Sequence, residues 1–309
     1  MVESEHRTRA LTCFPIVALA VAANLACGST ALAQHPGEQP QQDPTWVLSS
    51  GISLTLFPNR DIYPVYMADP HRPTNVLTET FILSGSIPDT DGPLTRLGAG
   101  GRFGVLRIGP RQQEGRAWQV SLEAGMDALF DSEHRLDAVG WDGNYGLTVT
   151  TAANSSPLAL KLGLLHISAH VGDEYQARTG YARINYSRDE ASIGVAWRWS
   201  ARWRAYGETG AGYRRGDPAL EPWRVQSGIE YESGPGPCGQ RFACYAAVNV
   251  SAMQERNWRV DKTVDVGIVI HGVGRSTRIF VEWHDGRPTV NEFFRDSLSS
   301  LSLGMKVDL

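Results

Sequence analysis

The feature that most constrains this chain is an alternation of apolar residues with polar or small ones, repeated along most of its length. In the last nine residues, LSLGMKVDL, every odd position is apolar and every even position is polar or small. A period of two predicts β-strands with one apolar face. The same pattern occurs in Trp118–Met126, Ile193–Trp199, Val264–Ile270 and Ile279–Trp283. Because such runs recur from residue 78 onward with turn residues between them, the sequence predicts an all-β fold.

Strands of this kind fit two architectures, a soluble β-structure with the apolar face inside and a membrane barrel with that face outside. Three features favour the membrane. The N-terminus resembles an export signal, no run of about 20 apolar residues predicts a membrane-spanning helix, and tryptophans stand near the ends of several runs, as in interfacial aromatic belts. The predicted fold class is an antiparallel transmembrane β-barrel of about twelve strands. A soluble sandwich with these tryptophans in its core is the alternative.

Twelve candidate strands can be counted, and bacterial barrels of this class have an even number. The runs begin near residues 78, 97, 116, 143, 158, 181, 203, 223, 243, 262, 276 and 299. If the last strand ends in the periplasm, the connections 129–142, 172–180, 214–222, 253–261 and 286–298 lie outside the cell. The shorter connections 152–157, 200–202 and 272–275 are then periplasmic turns, which is the asymmetry expected of such barrels.

The first residues predict export. An apolar run from Ala10 to Ala26 precedes Ala31-Leu32-Ala33, a small-x-small cleavage pattern. A lipoprotein signal that ends before Cys27 is the alternative. The predicted organisation is a cleaved signal peptide at 1–33, a Pro/Gln-rich lead-in with an N-terminal periplasmic segment at 34–77, and an outer-membrane barrel at 78–309.

Charge and location limit the partners. The formal net charge of -4 argues against a nucleic-acid-binding surface, which needs clustered Lys and Arg. The expected partners are membrane lipids and, during biogenesis, the machinery that inserts barrels. The sequence predicts no oligomeric state.

Two cysteines remain after ordinary signal cleavage. Cys238 and Cys244 lie close together in GPGPCGQRFACY. This spacing suits a disulfide across a loop in an oxidising compartment, whereas one such pair is too sparse for a zinc site. We therefore predict a Cys238–Cys244 disulfide and no metal site.

Four stretches resemble the bacterial domain-of-unknown-function family 1207 over nearly the whole mature chain. They are IYPVYMADPHRP (62–73), HISAHVGDEY (166–175), RINYSRDE (183–190) and the tail from Arg278 to Leu309. Members of that family resemble exported outer-membrane barrels, and the family carries no assigned activity. The resemblance therefore implies a fold and a location.

HISAHVGDEY is the strongest candidate site. On the strand that starts at Leu158, the even positions carry leucines, and the same parity continues into His166, Ser168 and His170. A histidine two residues from a serine on one strand face is about 7 Å away, within reach of proton transfer after rotamer changes. This His-x-Ser arrangement resembles outer membrane phospholipase A and the outer-membrane lipid A deacylase, although Ala169 stands where those families have asparagine. The resemblance implies Ser168 as nucleophile, His166 as base and an outer-leaflet acyl ester as substrate.

The remaining site residues are predicted from pairing. If the connection centres between Tyr175 and Gln176, Asn185 lies opposite His166 and could orient it, with Arg183 opposite Ser168. Loop amides near Gly172 or the Arg183 guanidinium could then stabilise an oxyanion. His170, Asp173 and Glu174 form a further candidate cluster, but His166 and His170 are about 13 Å apart and cannot share a metal ion. No cofactor is expected, with calcium considered only if the protein is a hydrolase.

The favoured interpretation of this stretch is the polar end of a strand that leaves the membrane. On that view the protein is an outer-membrane barrel of uncharacterised role, with a Ser/His acyl hydrolase as the alternative. A narrow channel for small solutes is the second alternative. Inward positions carry charges of both signs that could pair across a narrow lumen: Glu123, Asp127, Arg198, Glu208, Glu230, Glu232, Asp265, Arg278, Glu282, Lys306 and Asp308.

Overall fold

The described part of the chain is a closed antiparallel β-barrel of twelve strands. A computed structural model describes residues 45–49, 51–90, 92–110, 115–153, 155–234, 241–272 and 275–308. A hairpin comes first, with strands β1 (Thr45–Ser49) and β2 (Ile52–Leu56). The barrel strands are β3 (Asn75–Ser86), β4 (Leu94–Pro110), β5 (Arg116–Asp131), β6 (Asp137–Ala153), β7 (Leu158–Val171), β8 (Ser187–Trp197), β9 (Trp203–Arg215), β10 (Trp223–Glu232), β11 (Phe242–Met253), β12 (Val260–His271), β13 (Ser276–Gly286) and β14 (Ser297–Asp308).

Each barrel strand pairs with its neighbours in the chain, and β14 pairs with β3 to close the barrel. The predicted fold class is therefore confirmed. Two strand starts differ from the predicted ones by six residues. β6 begins at Asp137 instead of 143, and β8 begins at Ser187 instead of 181 because helix α1 (Asp173–Thr179) and an extended segment precede it. Short 3-10 helices occur at Gln254–Arg256 and Asn291–Phe293.

The two barrel ends differ. The turn end carries the end of β14 and short connections such as 198–202, and the loop end carries 172–186 and 287–296. An apolar core covers the loop end, built from Ile87, Leu94, Leu129, Val139, Val171, Tyr175, Val290, Phe293 and Leu298. The loops therefore pack into a cap over the lumen. No helix in the described ranges is long and apolar enough to cross a membrane.

The outer surface is apolar, with aromatic residues near both ends. On β7, Leu158 and Leu164 keep 46% and 54% of their surface exposed, as expected of side chains that face lipid. On β9, the exposed Trp203 and Tyr213 stand at opposite ends. Ten residues span about 33 Å along a strand, or about 25 Å along the membrane normal at a tilt of ~40°. This matches the apolar band of an outer-membrane barrel.

The inner surface is polar, as predicted for most of the charged positions. Glu208 binds Lys161 and Arg224, and Lys306 lies 2.6 Å from Asp265. Arg198 is the exception. It is exposed because β8 ends at Trp197, before the alternation reaches it.

Residues 57–74 run through the lumen, which the sequence did not predict. Cationic side chains of the wall donate hydrogen bonds to carbonyl oxygens of this segment. Arg204 binds those of Pro64 and Val65 at 2.6 and 2.7 Å, Arg102 binds Tyr63, and Arg96 binds Pro70. The ring of Tyr66 stacks on Tyr206 at 3.7 Å. We call residues 57–74 the lumen segment.

The predictions for the N-terminus and the disulfide fall largely outside the described residues. Residues 1–44 lie outside them, so signal cleavage stays a prediction, as does the lead-in. Cys238 is also outside, whereas Cys244 lies on β11 with an exposed side chain. The disulfide therefore stays a prediction as well.

Candidate functional site

The predicted site lies on the outer wall, where β7 reaches the loop end. His166, Ser168 and His170 keep the outward parity of Leu158 to Leu164 and are partly exposed, whereas Ala169 and Val171 point inward and are buried. The parity argument therefore places these three side chains correctly. The neighbouring strands β6 and β8 supply the rest of the site.

His166 belongs to a row of four residues that crosses four strands. Tyr145 on β6 pairs with His166, His166 pairs with Asp189 on β8, and Asp189 pairs with Arg214 on β9. The His166 Nδ1 lies 2.5 Å from the Asp189 Oδ1, and the Tyr145 ring stacks on the imidazole at 4.6 Å. Because a carboxylate only accepts, Nδ1 carries a proton, and in the neutral imidazole the lone pair is then on Nε2.

The predicted partner Asn185 is not opposite His166, so the predicted register is wrong by four residues. Asn185 is exposed and its amide donates to the carbonyl oxygen of Gly216. The connection between β7 and β8 is longer than assumed, because helix α1 and residues 181–186 precede β8. Arg183 lies in that connection and likewise does not pair with Ser168, which faces Ser187 instead. The change of four residues keeps the parity, so an outward-facing polar residue still meets the histidine, but it is Asp189 and not Asn185.

Ser168 lies in the middle of an open slot. Its partner on β6 is Gly143, where an added Cβ would lie 3.5 Å from the Ser168 hydroxyl and meet no clash. On one side lies the stacked pair Tyr145–His166, and on the other Trp141 stacks on His170 at 4.3 Å. Within the described residues the Ser168 hydroxyl makes no hydrogen bond, so it is free to meet a molecule from outside.

The other predicted residues lie around this slot. Asp173 and Glu174 are exposed in the first turn of α1, away from the His166 row. The Gly172 amide donates to the carbonyl oxygen of Val139 and is therefore not a free oxyanion donor. Arg183 is exposed and its charge lies near His170. No group of three or more His, Cys, Asp or Glu side chains in the described ranges could hold a metal ion.

Residues 37–308 match the family described as "Protein of unknown function (DUF1207)". The chain belongs to this family. No protein of curated function matches the sequence significantly. Membership agrees with the resemblance noted in the sequence, and it assigns no reaction.

Solved outer-membrane barrels share the fold. Outer membrane phospholipase A from Escherichia coli matches with a TM-score of 0.51 and 10% identity over 81% of this chain and 95% of its own. An active-site mutant of the same enzyme matches with a TM-score of 0.52 at the same identity and coverage. The NanC porin matches with a TM-score of 0.41 and 12% identity over 76% of this chain and 99% of its own. At 10% identity the likeness to the phospholipase shows the fold alone.

The protein is thus an outer-membrane-type β-barrel of a family without a known function. The apolar band between the aromatic ends is the surface that contacts membrane lipids. The slot around Ser168 opens onto this same outer surface, at its loop end. A molecule that reaches Ser168 therefore comes from outside the barrel and not from the lumen.

Proposed function

We propose that the protein is an acyl-ester hydrolase of the outer leaflet, with Ser168 as nucleophile. The observation that carries this proposal is the 2.5 Å contact between His166 and Asp189 on the lipid-facing wall, two residues along the strand from Ser168. An acid, a histidine and a serine on one surface are the parts of a hydrolytic triad. A strand end that only has to leave the membrane does not require this combination.

The chemistry follows from the roles of the three side chains. Nε2 of His166 takes the hydroxyl proton as the Ser168 Oγ attacks the ester carbonyl carbon. The proton then passes from His166 to the departing alkoxide, which leaves an acyl group on Ser168. Water attacks this acyl group, His166 takes a proton from that water, and the fatty acid is released as Ser168 regains its hydrogen. Asp189 holds Nδ1–H throughout and stabilises the imidazolium.

Bringing Nε2 to Oγ requires a side-chain rotation. The α-carbons of positions 166 and 168 are about 7 Å apart, and no hydrogen bond between these two side chains is present among the described residues. Such contacts often tighten only when substrate binds. The open position at Gly143 leaves the Ser168 side chain room for this movement.

The oxyanion needs donors on the side of Ser168 that His166 leaves free. His170 lies there, two residues further along the same face, and Arg183 is close to it. An imidazole N–H or a guanidinium is a suitable donor for a developing oxyanion. We assign this role to His170, with the charge of Arg183 in support.

The proposed site requires that the protein is exported and inserted in the outer membrane. We propose that residues 1–33 are cleaved on export from a Gram-negative cell and that the insertion machinery places the barrel in the outer membrane. No cofactor takes part in the steps above, and calcium is proposed only as an addition to the hydrolase assay. The shared fold with a phospholipase supports a lipid ester as substrate.

The disulfide between Cys238 and Cys244 is also a proposal. It would close the connection between β10 and β11, the long one at the turn end. Mass spectrometry of peptides from freshly isolated protein should find the two cysteines joined. Free thiols on both would contradict the pairing.

Purified protein in mixed micelles, assayed for fatty acid released from phospholipid and lipopolysaccharide with and without calcium, tests the hydrolase. We expect Ser168→Ala and His166→Ala each to abolish release. Ser227→Ala is the matched control, because Ser227 is an exposed outward serine on β10 away from the site. An inactive parent protein under all these conditions, or equal activity in Ser168→Ala, would overturn the proposal.

A further inference from the structure

The motif ADPHRP belongs to the lumen segment and takes no part in the proposed reaction. His71 and Arg72 are partly buried inside the barrel and line a cavity of about 90 Å³ between the lumen segment and the wall. By a water's share of liquid volume, about 30 Å³, this is room for about three waters or one small ion.

Arg72 has no counter-ion of its own. Its guanidinium makes no ion pair or hydrogen bond with any residue in the described ranges, and its Nε is buried. None of the nearby carboxylates lies within ion-pair distance of the Arg72 guanidinium in the described ranges. Glu230 binds Arg204 and Asp308 binds Arg278, whereas Asp69 accepts the backbone N–H of His71 and forms no ion pair with Arg72 in the described ranges.

The other cations of the cavity do have partners. The described lining includes the cationic residues Arg72, Arg102, Lys161, Arg188, Arg224 and Arg287 and the carboxylates Asp69, Glu123, Glu190 and Glu208. Arg102 binds Glu123, Lys161 and Arg224 bind Glu208, Arg188 binds Glu190, and Arg287 lies 3.5 Å from Asp261. Arg72 is thus the described lining cation with no carboxylate within ion-pair distance, and a charge removed from water without such a partner is costly.

Two further buried polar atoms line the same cavity without a partner, the His71 Nε2 and the Tyr186 Oη. The His71 Nδ1 lies 3.2 Å from the carbonyl oxygen of Thr289, so it is the nitrogen that donates. Nε2 of a neutral His71 is therefore an acceptor. A ligand that satisfies both side chains needs anionic oxygens for Arg72 and a hydroxyl for His71.

We propose that this cavity binds a small oxyanion that keeps a proton, such as hydrogenphosphate. Arg72 donates to its oxygens, as guanidinium groups do to phosphate, while a P–OH group donates to the His71 Nε2. The site is closed off from the lipid-facing slot by the barrel wall, so it does not depend on the hydrolase. It gives the segment His71–Arg72 a ligand that also fixes the lumen segment in place.

Calorimetric titration of the folded protein with inorganic phosphate tests this, at constant ionic strength set with chloride. We expect phosphate to bind the parent, Arg72→Met to bind it at least about tenfold more weakly, and sulfate, which carries no proton at neutral pH, to bind the parent more weakly than phosphate. Arg259→Met, which removes an exposed arginine of a loop, should bind like the parent.

A second readout covers the folding of the variant. Without phosphate, Arg72→Met should unfold at a temperature no lower than the parent, because the substitution removes a partly buried charge that has no ion-pair partner. A lower unfolding temperature would show that Arg72 has a structural partner and would overturn the proposal. Absence of phosphate binding by the parent, or equal binding by Arg72→Met, would overturn it too. If the parent bound sulfate as tightly as phosphate, the proposed hydrogen bond from the ligand to the His71 Nε2 would be wrong.

Discussion

His166 is held from two sides, and this decides which of its nitrogens can take part in chemistry. Asp189 occupies Nδ1, and the Tyr145 ring covers one face of the imidazole. Only Nε2 is left to accept a proton, on the surface that also carries Ser168. The role of Asp189 can therefore be separated from that of Asn185, which lies in the connection before β8 and binds the carbonyl oxygen of Gly216.

Asp189→Asn should lower kcat by about 10³- to 10⁴-fold, because an amide can donate to Nδ1 and so favours the wrong tautomer. KM should change little, since Asp189 is not expected to touch the substrate. Asn185→Ala is the matched control and should keep full activity. Fatty-acid release under saturating lipid measures both variants, and a loss in Asn185→Ala with none in Asp189→Asn would restore the register predicted from sequence.

The proposed role of His170 as oxyanion donor can be tested with variants that keep either an aromatic ring or a hydrogen-bond donor at this position. His170→Phe keeps an aromatic ring against Trp141 but removes the N–H, and it should lower kcat by about 10²- to 10³-fold. His170→Gln keeps a donor and should recover part of that loss. If His170→Phe is fully active while Ser168→Ala is inactive, the oxyanion donor is another group, such as Arg183.

The sequence could predict which residues face outward but not which acid they meet. Alternation fixes the side of the wall for His166 and Ser168, because parity does not depend on distant parts of the chain. The partner on β8 depends on the length of the connection. Seven residues of that connection form α1, whose Tyr175 packs into the loop cap, and no local pattern revealed this.

At the scale of elements, the lumen segment is held by inward-facing side chains of the strands. The register of each strand fixes where along the barrel axis these side chains lie. Four prolines, Pro58, Pro64, Pro70 and Pro73, remove backbone donors and leave carbonyl oxygens free. Wall cations bind those oxygens, and Glu230 accepts the Met67 N–H. The segment has no strand period, so its sequence alone indicated a loop. Only the inward cations of the strands, taken together, explain where it lies.

Arg204→Ala should destabilise the barrel by about 3–5 kcal/mol, because it leaves Glu230 buried without its cation. It should also make residues 57–74 easier to cleave by protease. The double variant Arg204→Met with Glu230→Gln should be less destabilised, since no lone charge remains. Urea unfolding followed by tryptophan fluorescence measures the difference. A double variant at least as unstable as Arg204→Ala would show that the ion pair itself is not the source.

At the scale of the whole molecule, the barrel wall was the predictable part. All twelve barrel strands were found from alternation, because each repeats the same contrast between a lipid-facing and an inward side chain. The lumen was not predictable in the same way. It is closed by the loop cap at one end and crossed by the lumen segment, and both depend on contacts between residues far apart in sequence.

A barrel filled in this way should not conduct ions, although twelve strands enclose space for a narrow pore. We expect no stable conductance steps from the parent protein in a planar lipid bilayer. A variant that lacks residues 45–73 continues from residue 44 directly to Thr74, just before β3, so it keeps all twelve barrel strands but loses the lumen segment. It should give discrete steps, because the wall charges then face water. A heat-modifiable gel shift must first show that this variant is folded. Large steps from the parent would indicate a channel, and a folded variant that stays silent would show that the loop cap alone closes the lumen.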